Sequence, residues 1–482
     1  MNSSIKENKF PQDWKTARVV PLYKSGDPNE EGNYRPVAVL PVLSKLLERH
    51  IHDTLYMYLT EHGLILDGQS GFRRLHSCES TLLHLTEYMI QNIDQGHMCG
   101  AVMLDLRKAF DLVNHDILLH KLSSYGLSDN CCMYFQSYLY NRYQSVSYNG
   151  YLSAPLPIRT GVPQGSILGP LLFIIFINDL MLEVEDTEID IYADDSTNYV
   201  SGRNIDDINT QLNAQLIPLS NWISNNKMVL NLDKTDSMLF GTKHKVKSSR
   251  GLLNVQIDGC TIKPVDTHKL LGLHLDNMLT WDNHINKLCN KLKSRLYLFN
   301  KIKHLLPQFA RLQFFTGLVQ SLLDFGCVIW GNTSKSNLKR VHKIMKQFGR
   351  SILDIKKPKD IHNVDLFKTL DWLPIDARIR YFKGIVVFKS LNNLAPSYLL
   401  EMFTPTSQIH NYNTRQRTSN AFYIPGIKTE LGRKSFRYWA TTEWNLLPHW
   451  VKESNSLPVF KKRYLTYIKA TVFSKDTFYI DE

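Results

Sequence analysis

The chain has 482 residues, of which 43% are hydrophobic and 21% are charged, a composition that excludes disordered, collagen-like and disulfide-scaffold proteins. Its seven cysteines form no C-x-x-C pair and its longest apolar run, residues 167–177, is too short for a bilayer, so we expect a soluble intracellular protein. The net charge of +12 is concentrated in the second half, where residues 281–350 carry 13 Lys and Arg against 2 Asp and Glu. This basic half predicts a polyanionic partner, although a merely solubilising surface explains the charge equally well.

The first hundred residues predict short strands followed by helices. Five prolines punctuate the first 41 residues and favour hairpins over helices. Apolar spacing then predicts helices over residues 44–59 and 81–94. Residues 101–104 read as a short buried strand that ends at Asp105, and a further helix begins near Lys108.

The middle of the chain contains a second acidic position. Two strand-like runs, residues 189–193 and 197–200, flank Asp194 and Asp195 and predict a β-hairpin with acidic residues at its tip. A helix is predicted after this hairpin. Its bounds are residues 205–226, and the extended pieces that follow it are residues 228–232, 237–240 and 270–275.

From residue 282 onward the pattern is that of a long helix. Its apolar face consists of Leu288, Leu292, Leu296 and Phe299. Beside that face lies a basic row at a spacing of four residues, which we call the thumb row and which consists of Lys287, Lys291 and Arg295.

The spacing of the acids suggests a chemistry. Phosphoryl transfer to a hydroxyl uses two divalent cations, which prefer carboxylate oxygens held on rigid elements. Asp105 ends one predicted strand, and Asp194 and Asp195 occupy the tip of a hairpin 89 residues later. An Asp-Asp turn alone is more often ordinary turn chemistry, so the surrounding residues decide.

The segments around these acids resemble motifs A, B and C of a reverse transcriptase, in the form found in non-LTR (long interspersed, jockey-like) retrotransposons. These three segments are Leu104 to His115, Gly161 to Phe173 and Tyr192 to Asp195. Five further blocks resemble the family's fingers, motif D and primer grip in the family's order. They are residues 10–15 with 26–27, residues 33–36 with 43–45, residues 69–73 with 76–77, residues 231–235, and residues 271–276 with 279–281. The resemblance covers residues 10–350, and residues 411–415 and 444–448 resemble the tail that follows such domains.

The resemblance implies a metal site. Asp105 and Asp194 would bridge two Mg²⁺ ions, with Mn²⁺ as the alternative metal, and Asp195 would be the neighbouring catalytic acid. Physical reasoning agrees, because three unpaired carboxylates repel one another and remain ionised together only beside cations.

The resemblance also implies residues that contact the incoming nucleotide. Phe110 takes the position of the steric gate, where its ring would clash with a 2′-hydroxyl, although a core Phe would fit there too. Gln164 and Gly165 lie in a Pro-Gln-Gly turn that would face the nascent base pair, and the other interpretation is an ordinary loop. Arg35 and Arg73 are candidates for holding the triphosphate or are surface cations.

Two further roles follow from the resemblance. Lys234 would protonate the leaving pyrophosphate, and a solvated lysine is an equally good interpretation. The thumb row would contact the template–primer backbone without reading its sequence.

We therefore expect an α+β fold of the right-hand polymerase type: fingers (residues 1–98), a palm with a small antiparallel sheet (99–280), a helical thumb (281–350) and a C-terminal basic and aromatic region (351–482). The expected function is RNA-directed DNA synthesis, with an RNA template, a DNA primer and deoxynucleotides as partners and no membrane.

The alternatives are a telomerase-like or maturase-associated polymerase and, in a different class, a non-catalytic nucleic-acid-binding remnant of a truncated element. An endonuclease normally precedes the polymerase in this family, whereas this chain starts near the first fingers block. We therefore do not carry the target-nicking activity over. Motif A has Arg107 where Ser is common, and the block at 69–80 has Cys78 where Thr is usual.

Overall fold

The structure, a computed structural model, describes residues 1–356, 361–409, 421–474, 478 and 480. The tail block at residues 411–415 lies outside these residues. The strands are β1 (Thr16–Tyr23), β2 (Tyr34–Val39), β3 (Met98–Asp105), β4 (Arg142–Tyr148), β5 (Tyr151–Leu152), β6 (Leu156–Ile158), β7 (Glu188–Tyr192), β8 (Asp195–Gly202), β9 (Asp236–Phe240), β10 (Gln256–Ile257), β11 (Cys260–Thr261), β12 (Lys263–Pro264), β13 (Thr267–Leu270) and β14 (Leu273–Asp276).

The helices alternate with these strands in the first half of the chain and dominate the second half. In the first half they are α1 (Asn2–Lys6), α2 (Val42–Glu61), α3 (Cys78–Asp94), α4 (Ala109–Leu112), α5 (His115–Ser124), α6 (Asp129–Leu139), α7 (Leu168–Ile177), α8 (Ile205–Asn225) and α9 (Lys243–Ser248). The second half contains α10 (Asp282–Ile302), α11 (Gln308–Phe315), α12 (Ser321–Asp324), α13 (Cys327–Trp330), α14 (Lys335–Ile352), α15 (Asn363–Thr369), α16 (Ile375–Leu391), α17 (Ser397–Leu400), α18 (Thr406–Ile409), α19 (Glu430–Arg433), α20 (Phe436–Leu446), α21 (His449–Lys452) and α22 (Leu457–Val472).

A five-stranded sheet in the order β12-β9-β3-β8-β7, which we call the palm sheet, holds the acidic residues. Its central strand β3 is buried along its length, and alternate side chains enter two different cores, as the period of two in a strand requires. Ala101 and Met103 face the core that includes α3, whereas Val102 and Leu104 face the core that includes α8. Gly100 lets α8 approach closely, because a Cβ there would lie 2.4 Å from Ile208 Cγ2.

A second sheet, the fingers sheet, has the order β2-β1-β4-β5, with β6 also paired to β4. Strands β1 and β2 form the hairpin that the early prolines predict, and Pro21 stands opposite Pro36 in its register. The N–H of Ala38, two residues beyond Pro36, donates to Gln164 and not to β1, so Pro21 and Pro36 form a non-hydrogen-bonded pair and the ladder loses no bond at the prolines.

The long predicted elements are confirmed, and two shorter predictions are wrong. The helices predicted over residues 44–59 and 81–94 lie within α2 and α3, and the acidic hairpin is formed by β7 and β8. Residues 270–275 are not one strand, because Leu271 and Gly272 adopt positive φ angles of 45° and 89° and turn the chain between β13 and β14. The predicted strand at 228–232 reduces to one isolated bridge, between Leu106 and Leu230.

Helices from α10 onward share one hydrophobic core with α3. The predicted apolar face of α10 is confirmed, since Leu288, Leu292 and Phe299 are buried. Two buried carboxylates of α3 fasten the C-terminal region: Glu87 accepts from the Phe436 backbone N–H, and Asp94 accepts from the Thr429 N–H at 2.7 Å. Within the described part of the chain, no helix combines the length and the hydropathy that crossing a bilayer requires.

Candidate active site

The three aspartates lie side by side at one end of the palm sheet. Strands β3 and β8 are antiparallel, and their register sets Asp105 directly opposite Asp195. The pair Tyr192–Asp195 closes the β7–β8 hairpin, so the loop at its tip consists of Ala193 and Asp194 only. We call this tip, residues 192–195, the acidic hairpin. Two strands and one tight turn therefore bring together acids that are 89 residues apart.

The electrostatics of this end of the sheet show an excess of negative charge. Partial desolvation, together with the charges of Asp194 and Asp105, raises the pKa of Asp195 to about 6. The positive charges of His268 and Lys24 act in the opposite direction. Among the described residues, no three His, Cys, Asp or Glu side chains already stand as a metal cage. The acids are therefore neighbouring carboxylates whose mutual repulsion a cation would relieve.

The donor set fits the divalent cations that the resemblance implies. Carboxylate oxygens are the ligands that Mg²⁺ prefers, and Asp105, Asp194 and Asp195 supply six of them at one edge of the sheet. Burial and the neighbouring carboxylates together raise the pKa of Asp195, and a cation bound beside it would offset both effects.

Asp105 is held by residues of motif D, in the segment Asn231–Thr235 that we call the motif D loop. The Asn231 side-chain amide donates to Asp105 Oδ2 at 2.8 Å, and the Asn231 backbone N–H donates to the Asp105 carbonyl at 2.8 Å. The Thr235 hydroxyl accepts from the Asp105 backbone N–H at 3.3 Å. Lys234 belongs to the same loop and is exposed.

The acidic hairpin is held by the third fingers block. Gln69 is fully buried, and its Oε1 accepts from the Gly71 N–H at 2.8 Å and from the Ala193 N–H at 3.4 Å. Gly71 has to be glycine here, because a Cβ would lie 2.2 Å from Ala193 N. Ala193 itself has a positive φ of 58°, a conformation that a non-glycine residue keeps only where its surroundings fix it.

The predicted Pro-Gln-Gly turn of motif B lies against the fingers sheet and motif A. The Gln164 carbonyl accepts from the Ala38 N–H at 2.7 Å, and the Gln164 side-chain amide donates to Asp111 Oδ1 at 2.8 Å. Gly165 has a φ of 128°, and a Cβ on it would lie 2.3 Å from the Ala38 carbonyl oxygen. The turn is therefore fixed between fingers and palm.

Phe110 lies next to this turn and is half-buried. Its ring stacks on that of Phe173, with the centroids 4.3 Å apart, and meets the ring of Phe72 edge-on at 6.0 Å. The backbone carbonyl of Phe110 accepts from the Val162 N–H at 2.9 Å and joins motif A to motif B. The two interpretations of Phe110, a packed ring and a ring beside the nucleotide, are compatible because the ring packs on Phe173 and yet remains partly exposed.

The two predicted arginines of the fingers have different surroundings. Arg35 is exposed on β2. Arg73 is largely buried, with 15% of its side chain exposed, and its Nη1 donates to the carbonyls of Leu66 and Gln69 at 2.8 Å each. Arg73 therefore stabilises the loop that contains Gln69.

The thumb row lies on α10 as predicted from its spacing. Lys287 and Lys291 are exposed and Arg295 is half-buried. The Lys287 ammonium lies 3.3 Å from His274 Nδ1 on β14, so the row begins beside the primer-grip block.

Sequence reasoning missed three residues that hold the site together: Glu48, Gln69 and Asn231. Gln69 and Asn231 fall inside blocks that the resemblance identifies, but attention to charged residues there selected Arg73 and Lys234 instead. Glu48 lies in α2, is fully buried, and accepts from the Ile167 N–H at 2.7 Å, just before α7. An acid on the apolar side of a predicted helix is the signal that could have revealed it, since buried acids are almost always paired.

Residues 24–275 match the model of the family described as reverse transcriptase (RNA-dependent DNA polymerase). This match spans more than half of the chain, so the chain belongs to the reverse transcriptase family, whose members generally use divalent metals. The family confirms the predicted right-hand polymerase fold, and the palm sheet and helices described above confirm its α+β class.

Within this family the chain is similar to polymerases of Drosophila melanogaster mobile elements, which confirms the predicted resemblance. The probable RNA-directed DNA polymerase from transposon BS is 30% identical over 396 residues, covering 78% of this chain and 42% of the relative. The RNA-directed DNA polymerase from mobile element jockey is 27% identical over 362 residues, covering 73% of this chain and 39% of the relative. The chain thus spans about two fifths of the length of these relatives.

Among solved structures, a telomerase from Candida albicans, in complex with a fragment of telomeric RNA, is 13% identical to the chain. The superposition covers 86% of this chain and 70% of the telomerase, with a TM-score of 0.43.

Proposed function

We propose that the chain is the RNA-directed DNA polymerase of a non-LTR retrotransposon, which extends a DNA primer with deoxynucleotides on an RNA template. The observation that supports this proposal most directly is the register of the palm sheet, which sets Asp105 opposite Asp195 and beside the turn that holds Asp194. The four predicted regions, fingers, palm, thumb and C-terminal region, are part of the same proposal.

The metal ligands in this proposal are Asp105, Asp194 and Asp195. Bound there, two Mg²⁺ ions, or Mn²⁺ in their place, would supply positive charge for the attacking and leaving oxygens of an in-line displacement. The aspartates themselves contribute orientation, because each lies on a strand end or tight turn fixed by hydrogen bonds to another part of the chain.

In the reaction, the oxygen of the primer 3′-hydroxyl forms a bond to the α-phosphorus, and the bond from that phosphorus to the pyrophosphate oxygen breaks. The 3′-hydroxyl gives its proton to solvent water, and the pyrophosphate gains one. We assign the second proton to the Lys234 ammonium, since Lys234 is exposed on the loop that is bonded to Asp105. Catalysis of this kind consists mainly of positioning and charge stabilisation.

The nucleotide would lie over the motif B turn. Gln164 and Gly165 would face the new base pair, and the exposed face of Phe110 would exclude a 2′-hydroxyl. For the triphosphate, the fingers offer Arg35 and Arg73. Lys24 of the same region joins them, because its charge already acts on Asp195.

The template–primer duplex would contact the thumb row. Lysine and arginine on one helix face neutralise phosphates without reading bases, so this contact would be strongly salt-dependent.

The test is primer extension on a homopolymer RNA template with a DNA primer and one labelled deoxynucleotide. Asp194→Asn should abolish incorporation, because an amide removes a charge from the metal site, while template–primer binding should remain within about twofold. Asp206→Asn is the matched control. It makes the same chemical change at an exposed position on α8 and should leave incorporation unchanged.

Incorporation by Asp194→Asn at the unsubstituted rate would refute the assignment of the site. An unsubstituted chain that retains template–primer but incorporates nothing would instead be the non-catalytic remnant.

A further inference from the structure

The motif D loop makes three hydrogen bonds to Asp105, the last residue of strand β3. Asn231 contacts Asp105 twice, through its backbone N–H and through its side-chain amide, and Thr235 contacts the Asp105 backbone N–H. Asn231 is 8% exposed and Thr235 is fully buried, so water does not compete freely for these bonds.

The bond from the Asn231 amide to Asp105 Oδ2 determines where the carboxylate points. Rotation about the last torsion of an aspartate side chain is soft, so an unbonded carboxylate samples many orientations. One donor on Oδ2 fixes the plane of the group and leaves Oδ1 and the remaining lone pairs free for a cation.

The chemical type of the donor matters as well. A lysine or arginine at this position would neutralise the carboxylate and compete with a metal ion, whereas an amide donates a hydrogen bond and adds no net charge. The amide of Asn231 therefore orients Asp105 without lowering the negative charge that attracts the cation.

We propose that Asn231 is a positioning residue for the metal ligand Asp105 and that it couples the motif D loop to the metal site. This inference rests on the proposed function, in which Asp105 binds a divalent ion.

The loop is built so that this coupling extends to Lys234. The Asn231 carbonyl accepts from the Lys234 N–H at 3.1 Å, from the Thr235 N–H at 2.9 Å and from the Thr235 hydroxyl at 3.0 Å. Asn231, which orients Asp105, thus also accepts the hydrogen bonds that close the loop. A displacement of Asn231 moves Lys234 with it.

The experiment replaces Asn231 with leucine, which has the same number and branching of side-chain heavy atoms and no donor. Mn²⁺ binding is measured by electron paramagnetic resonance on the unliganded chain, without nucleic acid or nucleotide, so the readout does not depend on activity. We expect Asn231→Leu to bind Mn²⁺ 10- to 100-fold more weakly, the usual loss when a residue that orients a metal ligand is removed.

The matched control is Asn226→Leu. Asn226 is 7% exposed, so its burial is similar to that of Asn231. Its side-chain amide also donates a hydrogen bond, at 2.9 Å, but to the Trp222 carbonyl and not to an aspartate. Its replacement should leave Mn²⁺ affinity unchanged. Asn231→Ser, a smaller residue whose hydroxyl is too short to reach Oδ2, should lose Mn²⁺ affinity in the same direction and serves if the leucine variant does not fold.

Primer extension gives a second readout that a purely structural role would not change. If Asn231 acts through the metal, the deficit of Asn231→Leu should be largest at limiting Mg²⁺ and should be mostly recovered when Mg²⁺ is raised to saturation.

Wild-type Mn²⁺ affinity in both Asn231 variants would overturn the inference, and so would equal losses in Asn231→Leu and Asn226→Leu. An unsubstituted chain that binds no Mn²⁺ would overturn this inference together with the metal site. A chain that binds Mn²⁺ but extends no primer would reject the polymerase proposal alone, and the comparison of Mn²⁺ affinities would still decide the role of Asn231.

Discussion

The burial of Glu48 leads to a graded prediction about the start of helix α7. The first N–H groups of a helix have no partner within the helix, and here Glu48 Oε2 accepts two of them, from Ile167 at 2.7 Å and from Leu168 at 3.3 Å. Its other oxygen accepts from the Ser44 hydroxyl at 2.9 Å. A fully buried carboxylate thus caps the helix that follows the motif B turn.

Two substitutions separate the contribution of the charge from that of the acceptors. Glu48→Ala leaves two buried N–H groups and a hydroxyl without acceptors, at about 1–3 kcal/mol for each unsatisfied group, which we place at about 4 kcal/mol in total. Glu48→Gln keeps an oxygen for the backbone N–H groups, and the Ser44 hydroxyl can reverse to accept from the new amide. Hydrogen bonds to the neutral amide are weaker than those to the carboxylate, but the amide costs less to bury. We therefore expect Glu48→Gln to lower the stability by about 1 kcal/mol.

The assay is hydrogen exchange of the amides in residues 163–177, which reports local stability in a chain too large for a two-state treatment. At about 1.4 kcal/mol for each factor of ten, Glu48→Ala should lower protection there by about three decades and Glu48→Gln by less than one. The affinity for the deoxynucleotide should fall in parallel, because the motif B turn directly precedes α7. Equal losses in the two variants, or a loss below tenfold in Glu48→Ala, would refute the capping argument.

Three further predictions follow from the site. Gly165→Ala should lower the free energy of unfolding by about 3 kcal/mol, because Gly165 has a φ of 128° and a Cβ there would meet the Ala38 carbonyl. It should also raise the KM for deoxynucleotide; denaturation and steady-state kinetics measure the two effects. The control Gly32→Ala has open space around it and should be neutral. Because the pKa of Asp195 is raised to about 6, protons should displace Mn²⁺ as the pH falls through about 6. In the metal-free chain, the stability contribution of this carboxyl should increase from about pH 6 downward, since its folded pKa lies above the unfolded one. Asp195→Asn should abolish both trends in titrations of Mn²⁺ binding and of melting temperature. Replacing the thumb row by alanines should reduce the slope of log K against log salt concentration for template–primer binding by about 2 to 3, with no change in sequence preference.

The parts of the site that the sequence predicted are those whose signals are local. Strand β3, with its run of apolar residues ending in Asp105, is recognisable within eight positions. The acidic hairpin is recognisable from two short alternating runs around Asp194 and Asp195. The resemblance then added the identities of the motifs, which no periodicity contains.

The contacts that orient those acids could not be predicted in the same way. Asn231 is 126 residues from Asp105, and Gln69 is 124 residues from Ala193, so each contact depends on the whole palm being folded. The wrong prediction of a strand at residues 270–275 has the opposite cause. Leu271 occupies a left-handed conformation that its side chain disfavours, and only the hairpin around it imposes that conformation.

The C-terminal region is connected to the same orienting contacts. Tyr398, in α17, lies 3.4 Å through its hydroxyl from Ser70 Oγ, and its ring lies 4.6 Å from that of His84. His84 Nδ1 lies 3.1 Å from Asp190 on β7, two residues before the acidic hairpin begins. Ser70 follows Gln69 directly and its N–H donates to the carbonyl of Ile191 at 2.8 Å.

These contacts give the C-terminal region a physical role that its basic composition does not suggest. A continuous series of packed polar groups runs from Tyr398 through Ser70 and His84 to strand β7, just before the acidic hairpin. Because Ala193 holds an unfavourable φ only through its surroundings, any loosening of the loop at residues 68–71 is transmitted to Asp194 and Asp195. The described residues around Tyr398 therefore help to hold the turn that contains Asp194.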